Sequence, residues 1–222
     1  MRNTIAVYYT LCPRKTESPG AYLQYQRKIA DKILNYGFKK QFNLEFSRDK
    51  VLTGKNGKPY WNGDGDVRFN VSNTDGLVVC GISGGGVYSG YEIGVDAEKP
   101  RSIRMPLLCR CCSPEETRYI LEGEELSSDK ETQEELCGLQ VQDRFSQIWT
   151  LKESYIKMTG EGMSFPLKEA AFSIQKEING RFHISCKQPG SFVQRKIEGY
   201  WIAVCFDSEE ESDIVWQELK FS

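Results

Sequence analysis

Only one histidine, His183, occurs in the 222 residues. A Ser-His-Asp or Cys-His mechanism would ask that single imidazole to move every proton with no nucleophile motif beside it, so both speak against themselves here. In the alternating run Arg181-Phe182-His183-Ile184-Ser185 the residue reads as part of a strand. Net charge is scarce too: 29 Lys and Arg nearly cancel 31 Asp and Glu, leaving −2. Bulk attraction to nucleic acid or to a membrane surface is excluded as a driving force. No stretch approaches the roughly 20 apolar residues of a membrane span. The start, MRNTIAVYYT, has one arginine and a short apolar run broken by tyrosines and Thr10, without a signal-peptide core or cleavage site. The expectation is a cytoplasmic protein with neither nucleic acid nor membrane as partner. A second cysteine knuckle is missing as well. Eight cysteines are dispersed at 12, 80, 109, 111, 112, 137, 186 and 205 and read as reduced thiols, and the Cys109-Arg110-Cys111-Cys112 cluster lacks the partner that a zinc site needs.

What is present is an ordinary globular composition, 39% apolar and 27% charged, long enough for one large domain or two small ones. The near-neutral total averages two unlike parts. Residues 1–58 hold twelve Lys or Arg against four Asp or Glu, a balance of +8 that leaves −10 for the remainder. Arg14, Lys15, Arg27, Lys28, Lys32, Lys39 and Lys40 belong to the basic part, while 115–135 contains nine acids and two bases and 207–213 contains five acids. A basic first third suits a polyanionic ligand of limited size, or is a set of solvated faces.

Periodicity and turn residues predict a strand over 4–10, a helix over 22–36 ending at Gly37, and a loop over 54–66 that contains Lys58-Pro59-Tyr60-Trp61. Phe69-Asn70-Val71-Ser72 is a short strand. Runs 77–82 and 91–95 read as a hairpin joined by Ser83-Gly84-Gly85-Gly86, whose glycines lack the Lys-Ser/Thr of a phosphate-binding loop. Ser113, Pro114 and Glu116 carry the signature of a capped helix start. The run 143–159 repeats apolar and aromatic residues at helical intervals and stops at Gly160. Strands follow at 171–174, 182–186 and 200–206, and 214–221 forms a short tail.

Two constellations carry chemistry. In Ile93-Gly94-Val95-Asp96-Ala97-Glu98, strand alternation sends Asp96 and Glu98 to one side and Ile93, Val95 and Ala97 to the other. Two carboxylates on one face make either a solvated strand end or a site for a hard cation such as magnesium, which takes a few carboxylates together with phosphate oxygens and water. In the second, Phe145, Trp149, Glu153 and Lys157 recur every four residues and form one helical stripe, aromatic at its start and charged at its end. Glu153 and Lys157 are either an i,i+4 ion pair on the surface or the edge of a cleft, where Glu153 completes a three-carboxylate site and Lys157 neutralises phosphate.

Taken in order, Gly57-Lys58-Pro59, Phe69-Asn70-Val71-Ser72, Ile93 to Glu98, and Phe145 through Trp149-Thr150-Leu151-Lys152-Glu153-Ser154-Tyr155-Ile156-Lys157 resemble the motifs of the 4′-phosphopantetheinyl transferases, of the surfactin-synthetase-activating type. The resemblance covers roughly residues 27–166. It implies an α+β (α/β) chain of two similar, pseudo-twofold halves, 1–92 with nucleotide contacts and 93–222 with the acids and main helix, with the active site between them. It further implies transfer of phosphopantetheine from coenzyme A to a serine of an acyl, peptidyl or polyketide carrier protein, by a monomer that uses Mg2+. By resemblance Asp96, Glu98 and Glu153 hold the metal, and Glu153 also matches the base that activates the serine. Lys157 matches a pyrophosphate contact, and Lys58, Ser72 and the Arg27-Lys28 pair match positions that hold the nucleotide. The family usually has histidine after Phe-Asn-x-Ser, whereas this chain has Asn73, which donates a hydrogen bond without ever carrying charge. The acids and lysines by themselves also permit another magnesium-dependent nucleotide-pyrophosphate enzyme, and Asn73 permits a noncatalytic module that binds coenzyme A or a carrier.

Overall fold

The computed structural model describes residues 4–14, 18–54, 56–84, 90–123, 135–176, 182–208 and 214–221. In chain order the first elements are β1 (Thr4–Cys12), α1 (Pro19–Phe42), β2 (Val51–Thr53), β3 (Pro59–Trp61), β4 (Arg68–Thr74), β5 (Gly76–Gly84) and β6 (Ile93–Glu98). After them come β7 (Ile103–Arg104), α2 (Met105–Cys111), α3 (Pro114–Leu121), β8 (Glu135–Leu136) and α4 (Leu139–Thr159). The chain closes with β9 (Phe172–Lys176), β10 (Phe182–Cys186), β11 (Ser191–Ile197), β12 (Tyr200–Phe206) and β13 (Ile214–Glu218). The class is mixed α and β, as the sequence predicts.

Two sheets do most of the positioning. One has the order β13-β1-β5-β4, the other β11-β12-β6. Alternation along each strand decides what faces what. Ala6 and Tyr8 of β1 with Val78, Cys80 and Ile82 of β5 pack under α1, against Ile29, Ile33, Leu34 and Phe38. The opposite faces, Ile5, Val7, Leu77 and Val79, meet Ile93, Val95, Ile202 and Val204 of the other sheet. Ala203 and Cys205 on its far side face α4 through Ile148, Leu151, Tyr155 and their neighbours. The layers therefore run helix, sheet, sheet, helix, and β5 is apolar at nearly every position because both of its faces are buried.

Among the differences from the sequence prediction, β3 forms a short strand inside the expected 54–66 loop, and four others bear on the packing. Runs 77–82 and 91–95 do not form a hairpin: β5 pairs with β1 and β4, while β6 pairs with β12 in the other sheet and only stacks on β5. Residues 214–218 are not a tail but a strand lying parallel to β1, with Ile5 opposite Ile214. Helix α1 begins at Pro19, where the Ser18 hydroxyl accepts from the Ala21 N–H, and runs through Gly37 to a left-handed cap at Asn43. Gly37 is there for space, since a Cβ on it would lie 2.3 Å from Ile82 Cδ1 and 2.9 Å from Tyr8 Cε2. Helix α4 begins at Leu139, four residues before the predicted start, and ends as expected with Gly160 left-handed at φ 71°.

A second close approach sets up the site. A Cβ on Gly94 of β6 would fall 2.0 Å from the Ser154 carbonyl oxygen and 2.4 Å from the Met158 nitrogen. Those neighbours are helix backbone and cannot step aside as a side chain can. Gly94 thus lets α4 lie directly on β6. Gly94→Ala is expected to lower stability by about 3 kcal/mol through overpacking, and denaturant unfolding measures it.

Candidate active site

The edge strands of the two sheets, β4 and β6, run beside each other, and α4 crosses β6. Buried Asn70 of β4 accepts the Val95 N–H through Oδ1 at 3.0 Å, which pins one edge to the other. Two residues along β4 and one along β6, Ser72 and Asp96 face one another: the Ser72 hydroxyl donates to Asp96 Oδ1 at 2.9 Å. From the last turn of α4, Lys157 Nζ reaches the same carboxylate oxygen at 2.6 Å and Ser72 Oγ at 3.1 Å. Lys157 is thus paired across the cleft with Asp96 and not along its own helix with Glu153. Thr74 Oγ1 donates to Glu98 Oε2 at 3.4 Å.

Electrostatics tie the three acids together. The Glu153 carboxyl is pushed above the ordinary carboxylate value, first by burial and then by the charge of Asp96, with Glu98 adding to the effect and Lys157 opposing it. Glu98 is raised in the same way, by burial and then by Asp96, against the pull of Arg101, the Thr74 hydroxyl and Lys157. Asp96 is only 5% exposed, and its Oδ2 is buried without a hydrogen-bond partner. A carboxylate oxygen left bare in a buried position costs free energy unless something positive sits on it. Among the described residues no three His, Cys, Asp or Glu side chains stand in metal-ligating arrangement, and the ammonium of Lys157 occupies Asp96 Oδ1. The donor set of hard carboxylate oxygens, mutually destabilised and with one oxygen unpartnered, suits a small divalent cation.

The protonation equilibria carry a testable sign. A divalent cation held there would compete with protons for Glu98 and Glu153. Since both carboxyls hold protons to higher pH than usual, cation affinity should begin to fall on acidification above the ordinary carboxylate range. Stability of the cation-free protein moves the other way. Between the unfolded and the raised folded values the native state binds more protons than the unfolded chain, so these two groups stabilise the fold as pH falls through that window. Mg2+ titrations and thermal melts in chelator at about pH 7.5 and about pH 5.5 read both slopes.

The remaining predicted residues lie further out. Lys58 donates to Glu92 Oε2 and to the Met158 carbonyl, where a cation also meets the negative end of the α4 dipole. Its stem packs on Gly160, 3.1 Å from where a Cβ would stand. Arg27 and Lys28 are exposed on α1 with no partner among the described residues. Their neighbour Gln26 is buried; its Nε2 donates to the Thr74 carbonyl at 2.6 Å and its Oε1 accepts from Asn73 Nδ2 at 3.2 Å. Asn73 is therefore held by α1 at the end of the strand that carries Ser72.

Several residues that shape the site escape a reading of motifs. Glu92 joins Lys58 to Arg68, and Asn70 and Gln26 fasten β4 to its neighbours. Lys152 is fully buried. Its ammonium donates to Glu116 Oε1 at 2.8 Å and to the carbonyls of Leu167 and Ala170 at 2.9 and 2.6 Å. Glu116 in turn accepts from the N–H groups of Ser113 and Phe172, the first of which closes the predicted capping box. A signal existed: Lys152 shares the helical face of Ile148, Tyr155 and Ile156, all core residues. Phe145 and Trp149 stack at 5.7 Å, two turns and one turn before Glu153. The cysteine cluster does not converge, since Cys109 is exposed while Cys111 and Cys112 are buried with their sulfurs 3.8 Å apart. The 124–134 part of the acidic segment lies outside the described residues. Grooves of about 480 Å³ beside Lys32, Tyr36 and Phe221 and about 460 Å³ beside Ser113 and Lys187 include none of the three acids.

Asp96 thus lies between two sheet edges and α4 with a serine and a lysine on one of its oxygens, and Glu98 and Glu153 are coupled to it through charge. The model of the 4′-phosphopantetheinyl transferase superfamily matches residues 92–205, just over half of the chain, and the chain belongs to that superfamily. Over 183 residues it is 29% identical to 4′-phosphopantetheinyl transferase Sfp of Bacillus subtilis (strain 168), a match spanning 80% of this chain and 71% of that protein. It is 28% identical over 165 residues to 4′-phosphopantetheinyl transferase gsp of Aneurinibacillus migulanus, spanning 73% and 61% of the two chains. No helix among the described residues is long and apolar enough to cross a membrane.

Proposed function

We propose that this chain transfers the 4′-phosphopantetheine group of coenzyme A to a serine of an acyl, peptidyl or polyketide carrier protein, releasing 3′,5′-adenosine bisphosphate. The observation that carries the reading is the junction at buried Asp96, where Ser72 and Lys157 meet one carboxylate oxygen and the other lacks a partner, with the half-buried Glu98 and Glu153 coupled to it through charge. Transfer requires the serine oxygen to bond to the phosphorus that bears the pantetheine arm while the bond to the nucleotide phosphate breaks. Glu153 takes the serine proton, directly or through water, and a carboxylate whose proton affinity is raised by burial is a better base than a free one. Lys157 turns its ammonium to the pyrophosphate and offsets the charge that grows on the leaving phosphate. Ser72, Asn73, Lys58, Arg27 and Lys28 hold the nucleotide part, so the first 92 residues supply most substrate contacts and the remainder supplies the acids. Asp96, Glu98 and Glu153 would hold magnesium, which would supply positive charge against the charge that grows on phosphate. A single chain provides every one of these groups, which supports a monomer. The balanced charge and the free cysteines support a cytoplasmic setting without a nucleic-acid or membrane partner.

The test is incubation with Mg2+, coenzyme A and a panel of apo carrier proteins, followed by intact mass measurement. The expected result is a carrier heavier by one phosphopantetheine group. No gain on any carrier, together with failure to bind coenzyme A in the presence of Mg2+, would leave the reading without support. A panel response also assigns the carrier class.

A further inference from the structure

The site contains its own ammonium ion, placed on the acid that a divalent cation needs. Lys157 Nζ and the Ser72 hydroxyl both donate to Asp96 Oδ1, while Asp96 Oδ2 remains bare. The Lys157 side chain is 28% exposed, so it is not walled in, and a four-carbon stem lets a lysine head change partners. We infer that Lys157 is an exchangeable counter-ion that couples the two ligands of the site: it rests on Asp96 while the acids lack a divalent cation and moves to phosphate when a pyrophosphate-bearing ligand arrives. This inference rests on the function proposed above for the identity of that ligand.

A cation arriving alone at the bare Oδ2 of Asp96 meets the repulsion of an ammonium held at 2.6 Å on Oδ1, and a lysine driven off is left beside Glu153 and Glu98 without a hydrogen-bonded acid of its own. That loss lowers cation affinity. A pyrophosphate gives the ammonium a new acceptor and removes the loss, so each ligand raises the affinity of the other by the same factor, as linkage demands. Ser72 donates to the same Asp96 oxygen and accepts from Lys157, so it marks the resting position of the lysine.

The experiment is calorimetric titration of Mg2+ into the wild type, Lys157→Met and Lys157→Gln, with and without saturating coenzyme A and with blanks for Mg2+ association in solution. Without a carrier serine, coenzyme A is not consumed. Wild type should bind Mg2+ about tenfold or more tightly when coenzyme A is present. Both variants should bind Mg2+ alone more tightly than wild type, and the enhancement by coenzyme A should shrink by about fivefold or more. A lysine that acted only as a fixed nearby charge would, on removal, raise Mg2+ affinity equally in both conditions and leave the enhancement at its wild-type value. That result overturns the inference. In chelator the variants should melt below wild type, and Mg2+ should close the gap; a gap that Mg2+ leaves unchanged also counts against the exchange. Repeating the titration with inorganic pyrophosphate separates the two readings. If coenzyme A fails to bind but pyrophosphate shows the Lys157-dependent enhancement, the counter-ion role stands and the proposed function falls.

Discussion

Glu153→Gln should lower phosphopantetheine transfer by roughly 10²–10⁴-fold, the usual span for loss of a positioned general base, while leaving the fold intact. The substitution keeps the shape of the side chain and removes its capacity to hold a proton or a cation. Its structural effect should be opposite in sign to its catalytic one. Glu153 is half-buried beside Asp96 and Glu98, and burial together with those charges makes its ionised form costly. A neutral amide relieves that cost, so the variant should melt at or above the wild-type temperature in chelator, an instance of function maintained at the expense of stability. Intact mass of the carrier over time gives the rate, and circular dichroism melts give the stability. A rate within twofold of wild type would remove Glu153 from the chemistry. A lost rate accompanied by a lowered melting temperature would point to damage to the fold instead.

Lys152→Met should cost about 3–5 kcal/mol, because it leaves Glu116 ionised and buried without its partner. At about 2–4 °C per kcal/mol for a chain of this size, the melting temperature should drop by on the order of 10 °C. The two partners are unequal. Glu116 also satisfies the N–H groups of Ser113 and Phe172, so it ties α3, α4 and β9 together, whereas Lys152 satisfies only carbonyls in addition to Glu116. Adding Glu116→Leu to Lys152→Met removes the stranded charge but also strips those two N–H groups of their acceptor. The double variant should therefore recover part of the loss and not all of it. Urea unfolding of the two single variants and the double variant closes the cycle. Full recovery would mean that the carboxylate contributes nothing beyond its pairing with Lys152.

Local signals in the sequence carried much of this structure, and non-local ones did not. The stripe Phe145, Trp149, Glu153 and Lys157, the Asp96-x-Glu98 alternation and the Ser113 cap are encoded within a few residues, and each is found where its spacing predicts. Strand partners are not encoded that way. Runs 77–82 and 91–95 are neighbours in sequence, yet β6 hydrogen-bonds to β12, which lies about a hundred residues further on, because its apolar face is needed against β5 and its acidic face against α4. The meaning of Gly37 was hidden for the same reason: a glycine after a helical run looks like an end until Tyr8 and Ile82 are known to press on it. Lys152 and Lys157 are five positions apart on one helix, but only their surroundings separate a structural ammonium from one poised in the cleft.

The parallel pairing of β13 with β1 has a consequence for the order in which the molecule assembles. Thr10 Oγ1 donates to the Leu219 carbonyl across 209 positions of sequence, and five residues of β1 take their partners from β13. Closing a chain segment of that length costs roughly 5 kcal/mol of entropy by the logarithmic rule. On a ribosome, α1, β4 and β5 can gather around β1 while one side of β1 still waits with its N–H and C=O groups unpaired. An unpaired apolar edge of that kind is the usual starting point for misassociation between nascent chains. The synthesis of residues 214–218 therefore sets the moment at which the first sheet becomes safe, long after Ser72 and Asp96 have left the exit tunnel.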